Sequence, residues 1–287
     1  MRFLSALLLF ALAASPAALT TVAQIPNLVT PEFLIPSASD IPRSKLSKWT
    51  DAAGRVHLTL QTADGLLRGY RYAGKDANAP TILFFNGNGQ MLEENDSFYR
   101  QLTQLGPTVV VYDYLGYGVS AGTADVLKFP EDGLKIYDQT VTSAAQHKVI
   151  VYGYSLGTAV AVYVASKRPV AALILAAPIA TGQEQFHFAA EQANESPTQI
   201  QLLRVDPYVQ TLLDEVGMIK QSRAPLLVIH GTSDKTVSYA EGREVFAASP
   251  SPQKYFVKIE GADHMGLPVQ MGAYESIKRF LPLVEKQ

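Results

Sequence analysis

The sequence predicts an α/β fold, a doubly wound and mostly parallel sheet entered through an antiparallel hairpin. Three observations carry that prediction. Short, nearly continuous apolar runs recur along the chain, segments of helical spacing separate them, and two alternating runs around an Asp-Gly turn precede them. Apolar runs of this kind suit strands covered on both faces. The 287 residues suffice for one large α/β domain with a sizeable core.

The N-terminus comes first. Arg2 is followed by an apolar run from Phe3 to Ala14, then by Pro16 and small residues, with a small-residue cleavage site at Thr21-Val22-Ala23 and another at Ala17. Residues 1–23 therefore read as a secretory signal peptide. The expectation is an exported enzyme, periplasmic or secreted. The alternative is an uncleaved membrane anchor that holds the protein at a membrane, although the apolar core is short for a span and Pro16 breaks it. Residues 24–48 are proline-rich and read as an extended arm. Residues 49–287 form the expected domain.

Within that domain "RVHLTLQ" and "LLRGYRY" flank Thr62-Ala63-Asp64-Gly65 and predict the hairpin. The buried strands are "TILFFN", "TVVVYDY", "KVIVYGY", "AALILAA" and "PLLVIHG", with a final run from Tyr255 to Ile259. Helical spacing runs from Phe98 to Leu105, from Gly133 to Ala145 and from Thr158 to Ser166, and an amphipathic tail spans Tyr274 to Val284. From Ile179 to Ala224 the alternation stops. This stretch shows helical segments such as "EQFHFAAEQ" and "QIQLLRV" and no predicted strand. It reads as a helical insertion, residues 179–224, and a candidate lid.

Composition excludes several chemistries. The formal net charge is −2 and both signs are scattered, so no basic stripe exists to bind nucleic acid. Cysteine is absent, which rules out disulfides, thiolate metal sites and a cysteine nucleophile. No cofactor or metal is implied.

The chemistry centres on "VYGYSLGTAV", where Gly153, Ser155 and Gly157 form Gly-x-Ser-x-Gly. With Gly and Ser each near ~7% of residues, such a pattern arises by chance in about one chain in ten of this length, so context decides. A strand precedes the motif and a helix follows it. That context is a strained turn lifting a serine hydroxyl above the sheet edge. A serine hydroxyl needs a base to take its proton and an acid to orient the base. On this topology they follow in the order acid, then histidine. Asp234 in "VIHGTSDKTVS" and His264 in "VKIEGADHMGL" occupy loops after later strands. His230 ends its strand too early. His57, His147 and His187 lie elsewhere, Asp263 should point away, and Asp206 in the insertion is the rival acid. For the oxyanion hole the candidates are the backbone N–H groups of Leu156 and of Asn88, with Gly89 second, in the Asn86-Gly87-Asn88-Gly89 loop.

On these residues the chain resembles α/β-hydrolase-fold serine hydrolases from about Val56 to the C-terminus. It is most similar to small members with a His-Gly-Asn oxyanion loop and a Tyr-Asp-Tyr-Arg-Gly-Tyr-Gly-x-Ser loop. Here the second motif reads "YDYLGYGVSAG", with Leu115 in place of Arg, and Asn86 replaces the histidine of the first. The family contains esterases, thioesterases including protein depalmitoylases, lipases and some peptidases. The resemblance implies a serine hydrolase that cleaves an ester or thioester of a small-molecule or lipid-like acyl substrate. A peptidase or amidase on the same triad is the alternative, and a non-catalytic binding protein of the same fold is a further one. Asp113 and Tyr117 read as structural.

Overall fold

The computed structural model describes residues 27–35, 54–144 and 148–285. The segment 1–23 read as a signal peptide, most of the arm and His147 lie outside the described residues. β1 (Leu28–Val29) belongs to the arm. β2 (Arg55–Gln61) and β3 (Leu66–Tyr72) form the antiparallel hairpin, with Gln61 opposite Leu66. Thr62 closes the turn, since its N–H donates to the Gly65 carbonyl at 2.9 Å and its hydroxyl donates to the same oxygen at 3.0 Å.

The remaining strands are β4 (Thr81–Phe85), β5 (Val109–Tyr112), β6 (Val149–Tyr154), β7 (Ala172–Ala176), β8 (Arg204–Val205), β9 (Leu226–Gly231) and β10 (Lys254–Ile259). Every residue of β4, β5, β6, β7 and β9 is buried. With both faces covered there is no solvent side to alternate toward, which is why these strands read as unbroken apolar runs. The main sheet runs β10-β9-β7-β6-β4-β5-β3-β2. Only β3 runs antiparallel to its neighbours; the other pairs are parallel.

Strand order reverses at β4, which has β5 on one side and β6 on the other. A reversal of this kind splays the connections apart and opens a crevice beyond the carboxyl ends of the two strands. The loop after β4 and the turn after β6 therefore meet at one place.

The helices are α1 (Asp96–Thr103), α2 (Phe129–Ser143), α3 (Leu156–Lys167), α4 (Gly182–Gln192), α5 (Pro197–Leu202), α6 (Pro207–Leu212), α7 (Glu215–Ile219), α8 (Tyr239–Ala248) and α9 (Met271–Glu285). α3 is apolar on nearly every side because it packs against β6 and between α2 and α7. Gly133 lets α2 approach it, since a Cβ there would stand 2.5 Å from Val160 Cγ1. Helices α4 to α7 and the two-residue β8 all lie between β7 and β9.

That short strand corrects the strand-free reading of this stretch. β8 pairs in parallel with β1 of the arm. The Arg204 N–H donates to the Asn27 carbonyl at 2.8 Å, and the Asp206 N–H donates to that of Val29 at 2.9 Å. Two residues carry no readable periodicity, and their partner lies far away in sequence. The arm then turns through Pro31–Leu34 onto the Val126–Lys128 turn, burying Val29 and Leu34. It thereby ties the segment between β7 and β9 to the rest of the domain. Leu34→Ala deletes a wholly buried side chain and is expected to cost about 2–5 kcal/mol of stability, as read from urea unfolding.

Candidate active site

Ser155 occupies the turn between β6 and α3 with φ 53° and ψ −127°. For a non-glycine residue this conformation is costly, on the order of 1–3 kcal/mol, and persists only where the surroundings enforce it. They do so by close packing. A Cβ on Gly153 would come within 2.4 Å of the Gly157 carbonyl oxygen, and one on Gly157 within 2.2 Å of that of Phe85. Both positions need glycine so that α3 can begin directly over the ends of β4 and β6.

The residues expected to act together do meet. The Ser155 hydroxyl lies 3.0 Å from His264 Nε2. His264 Nδ1 lies 2.8 Å from Asp234 Oδ2. The other oxygen of that carboxylate accepts the N–H groups of Thr236 at 2.8 Å and Val237 at 2.9 Å. These two bonds fix its orientation toward the imidazole. Ser155, Asp234 and His264 are each less than a tenth exposed.

The competing residues sort themselves out. Asp206 is the N-cap of α6 and accepts the Tyr208 N–H at 2.8 Å. Asp263 and His57 are exposed, and His187 sits on α4 beside Gln183. His230 is wholly buried at the end of β9, with Nε2 3.2 Å from the Val237 carbonyl and 3.6 Å from Asp234 Oδ2. Burial pushes its pKa down, and the ring braces the turn that carries Asp234.

Leu156 is the first residue of α3, where a backbone N–H has no acceptor within the helix. Across the crevice, Gly87 passes so close that a Cβ on it would stand 3.2 Å from Ser155 Cβ. The Gly87 N–H is occupied, donating to Gln90 Oε1 at 3.2 Å, while the Gln90 N–H returns to the Gly87 carbonyl at 3.3 Å. Asn88 follows within this closed loop, its Oδ1 accepting the Tyr117 hydroxyl at 3.0 Å. Asn86 is buried, with Oδ1 accepting from the Tyr99 hydroxyl at 2.6 Å and its carbonyl from that of Tyr114 at 2.9 Å. Tyr114 and Tyr117 thus buttress the loop after β4 from the "YDYLGYGVSAG" segment. Asp113 pins that segment, accepting the Leu92 N–H at 2.8 Å and the Val119 N–H at 2.9 Å. Burial raises its pKa to about 7. Leu115 is buried, an apolar side chain in an apolar place.

Tyr154 was missed by the sequence reading. Its hydroxyl donates to the His264 carbonyl at 2.6 Å, and its ring stacks on the imidazole at 5.2 Å. It immediately precedes Ser155, but the partner is 110 residues away.

Comparison with known proteins identifies the fold. A family model described as serine aminopeptidase, S33, matches residues 76–205. Alpha/beta hydrolase domain-containing protein 17C of Xenopus tropicalis is 28% identical over 204 residues, which is 70% of this chain and 61% of that protein. The chain thus spans about six-tenths of the length of that curated relative. A soluble variant of monoglyceride lipase from Saccharomyces cerevisiae, solved with a substrate analog, superposes with a TM-score of 0.64 at 13% identity, covering 83% of this chain and 98% of that one. Alpha/beta hydrolase domain-containing protein 10 from mouse gives 0.58 at 22% identity, covering 80% and 99%. The chain has the α/β-hydrolase fold.

Within that fold the relatives overturn one expectation. The domain-containing 17 proteins are intracellular and membrane-associated, which runs against the periplasmic or secreted enzyme inferred from residues 1–23. An apolar run behind one basic residue reports affinity for an apolar phase, and does not by itself identify a compartment. Among the described residues no helix is long and apolar enough to cross a membrane.

A buried carboxyl on α8 gives a pH test. Glu241 on α8 accepts the Ala180 N–H at 3.0 Å and the Ser238 N–H at 3.2 Å. Burial raises its pKa from 4.5 to about 8. The folded state therefore holds this proton more tightly than the unfolded chain. The resulting stabilisation is complete below about pH 4.5 and is lost as pH rises toward about 8. Glu241→Gln is expected to flatten the decline in Tm across that window, measured by calorimetry at a series of pH values.

Proposed function

We propose that the protein is a serine hydrolase that cleaves a carboxylic ester or thioester through an acyl-enzyme. The observation that carries this reading is the relay from Ser155 to His264 to Asp234, at 3.0 Å and 2.8 Å, on a strained strand-to-helix turn. Ser155 Oγ attacks the carbonyl carbon as His264 Nε2 takes its proton, and Asp234 steadies the imidazolium that forms. The N–H groups of Leu156 and Asn88 receive the oxyanion. Collapse of the tetrahedral adduct expels the alcohol or thiol, which leaves with the proton from His264. Water, deprotonated by the same ring, then attacks the acyl-serine and releases the carboxylic acid with Ser155 restored.

An acyl substrate is favoured by two features. The segment from Ile179 to Ala224 exposes Leu202 and Tyr208, and one structural neighbour is a lipase of monoglycerides. An amidase or peptidase reading uses the same residues and is supported by the aminopeptidase description of the matching family model. Rates on an ester, a thioester and an amide of one acyl group separate the two readings. Faster turnover of the amide would replace ester by amide as the substrate class.

Two mutational tests address the residues. Ser155→Ala should remain folded yet lose all labelling by a fluorophosphonate, and undiminished labelling would remove Ser155 from the role. Asp234→Asn should lower kcat by as much as ~10⁴, the cost of leaving the imidazole in the wrong tautomer. Asp206→Asn should change kcat little. The opposite ranking would assign the acid to the segment between β7 and β9.

A further inference from the structure

We propose that Glu215 is a positioning residue for the nucleophile, a buried acid that donates its proton to Thr158 and through Thr158 holds the strained turn at Ser155. The proposal rests on the reading of Ser155 as the nucleophile. It begins with a count of protons. Thr158 Oγ1 lies 2.5 Å from the Ser155 carbonyl oxygen and 2.5 Å from Glu215 Oε1. Two oxygens that close need a proton between them. A hydroxyl carries one proton and a carbonyl oxygen carries none. The Thr158 proton therefore serves the Ser155 carbonyl, and the second contact takes its proton from the Glu215 carboxyl.

The surroundings agree with a neutral acid. Glu215 is wholly buried, and its Oε2 has no partner among the described residues. A charged oxygen left so would be expensive, whereas the carbonyl oxygen of a protonated acid costs far less. Burial also pushes the Glu215 carboxyl well above the ordinary carboxylate range.

What this carboxyl joins explains its use. Its Oε1 accepts the Ile179 N–H at 3.2 Å, just beyond β7, and Glu215 itself opens α7. Ser155 is held at its own N–H by the Ala176 carbonyl at 2.9 Å, and its carbonyl also accepts the Thr158 N–H at 2.8 Å. The triad bonds direct Oγ, while the Glu215–Thr158 link secures the carbonyl side of the same residue. Loss of the link lets the turn relax toward an ordinary backbone conformation and swings Oγ away from His264.

The test compares Glu215→Leu and Thr158→Val with the variants that keep a donor, Glu215→Gln and Thr158→Ser. The rate of fluorophosphonate labelling, kcat and KM for a short-chain ester, and Tm are measured on each. Glu215→Leu and Thr158→Val are expected to lower kcat and the labelling rate by on the order of ten- to a hundredfold, the scale of a small misplacement of a reacting group, with KM nearly unchanged. Glu215→Gln and Thr158→Ser should recover most of the loss. Should Glu215→Leu fail to fold, the nearly isosteric Thr158→Val carries the same test. Wild-type labelling rates in folded Thr158→Val, or a Gln variant no better than Leu, would overturn the proposal. Failure of the underlying reading is distinct, because wild-type enzyme would then itself resist labelling at Ser155.

Discussion

The site depends on how closely the first turn of α3 passes over the ends of β4 and β6. A single methyl group at Gly157 would stand 2.2 Å from the Phe85 carbonyl oxygen, and one at Gly153 2.4 Å from that of Gly157. Backbone at that distance cannot be pushed aside as a flexible side chain can. The crossing compels Ser155 into φ 53°, and that conformation presents its hydroxyl above the sheet edge beside the N-terminus of a helix. The topological reversal at β4 supplies the second half of the constraint. It brings the loop that begins at Asn86 against the same turn, so Ser155 and the candidate oxyanion donors share one crevice.

Strain of this kind needs a surrounding that over-determines it. Polar groups supply it on three sides. Two backbone N–H groups fix the Asp234 carboxylate, the Tyr154 hydroxyl holds the His264 backbone, and Tyr114 and Tyr117 brace the loop after β4. Just beyond β7, the carboxyls of Glu215 and Glu241 take the successive N–H groups of Ile179 and Ala180. Burial raises the pKa of both. The same two residues anchor the point where the chain leaves β7 for helices α4 to α7.

Much of this was legible in the sequence. Fully buried parallel strands announce themselves as apolar runs, and the hairpin by its alternation about Asp64-Gly65. That Ser155, Asp234 and His264 would meet could be expected because on this topology the loops after later strands converge on the turn after β6, and they do meet. What escaped were contacts with no local signature. The β1–β8 pairing is two residues long, Tyr154 reaches His264 across 110 positions, and Glu215 is a buried acid. Its burial follows from α7 packing on α3, which no local pattern encodes. The compartment was misread for a related reason, since hydropathy in residues 1–23 describes a preference for an apolar phase alone.

The central claim is that an acyl group passes through Ser155. Acid-quenching the wild-type protein during turnover of a p-nitrophenyl ester, followed by peptide mass spectrometry, tests it directly. The account predicts a mass increase of one acyl group on the peptide that contains Ser155, and a burst of nitrophenol matching the enzyme concentration. Steady turnover with that peptide unmodified, or with the acyl group on another residue, would contradict it.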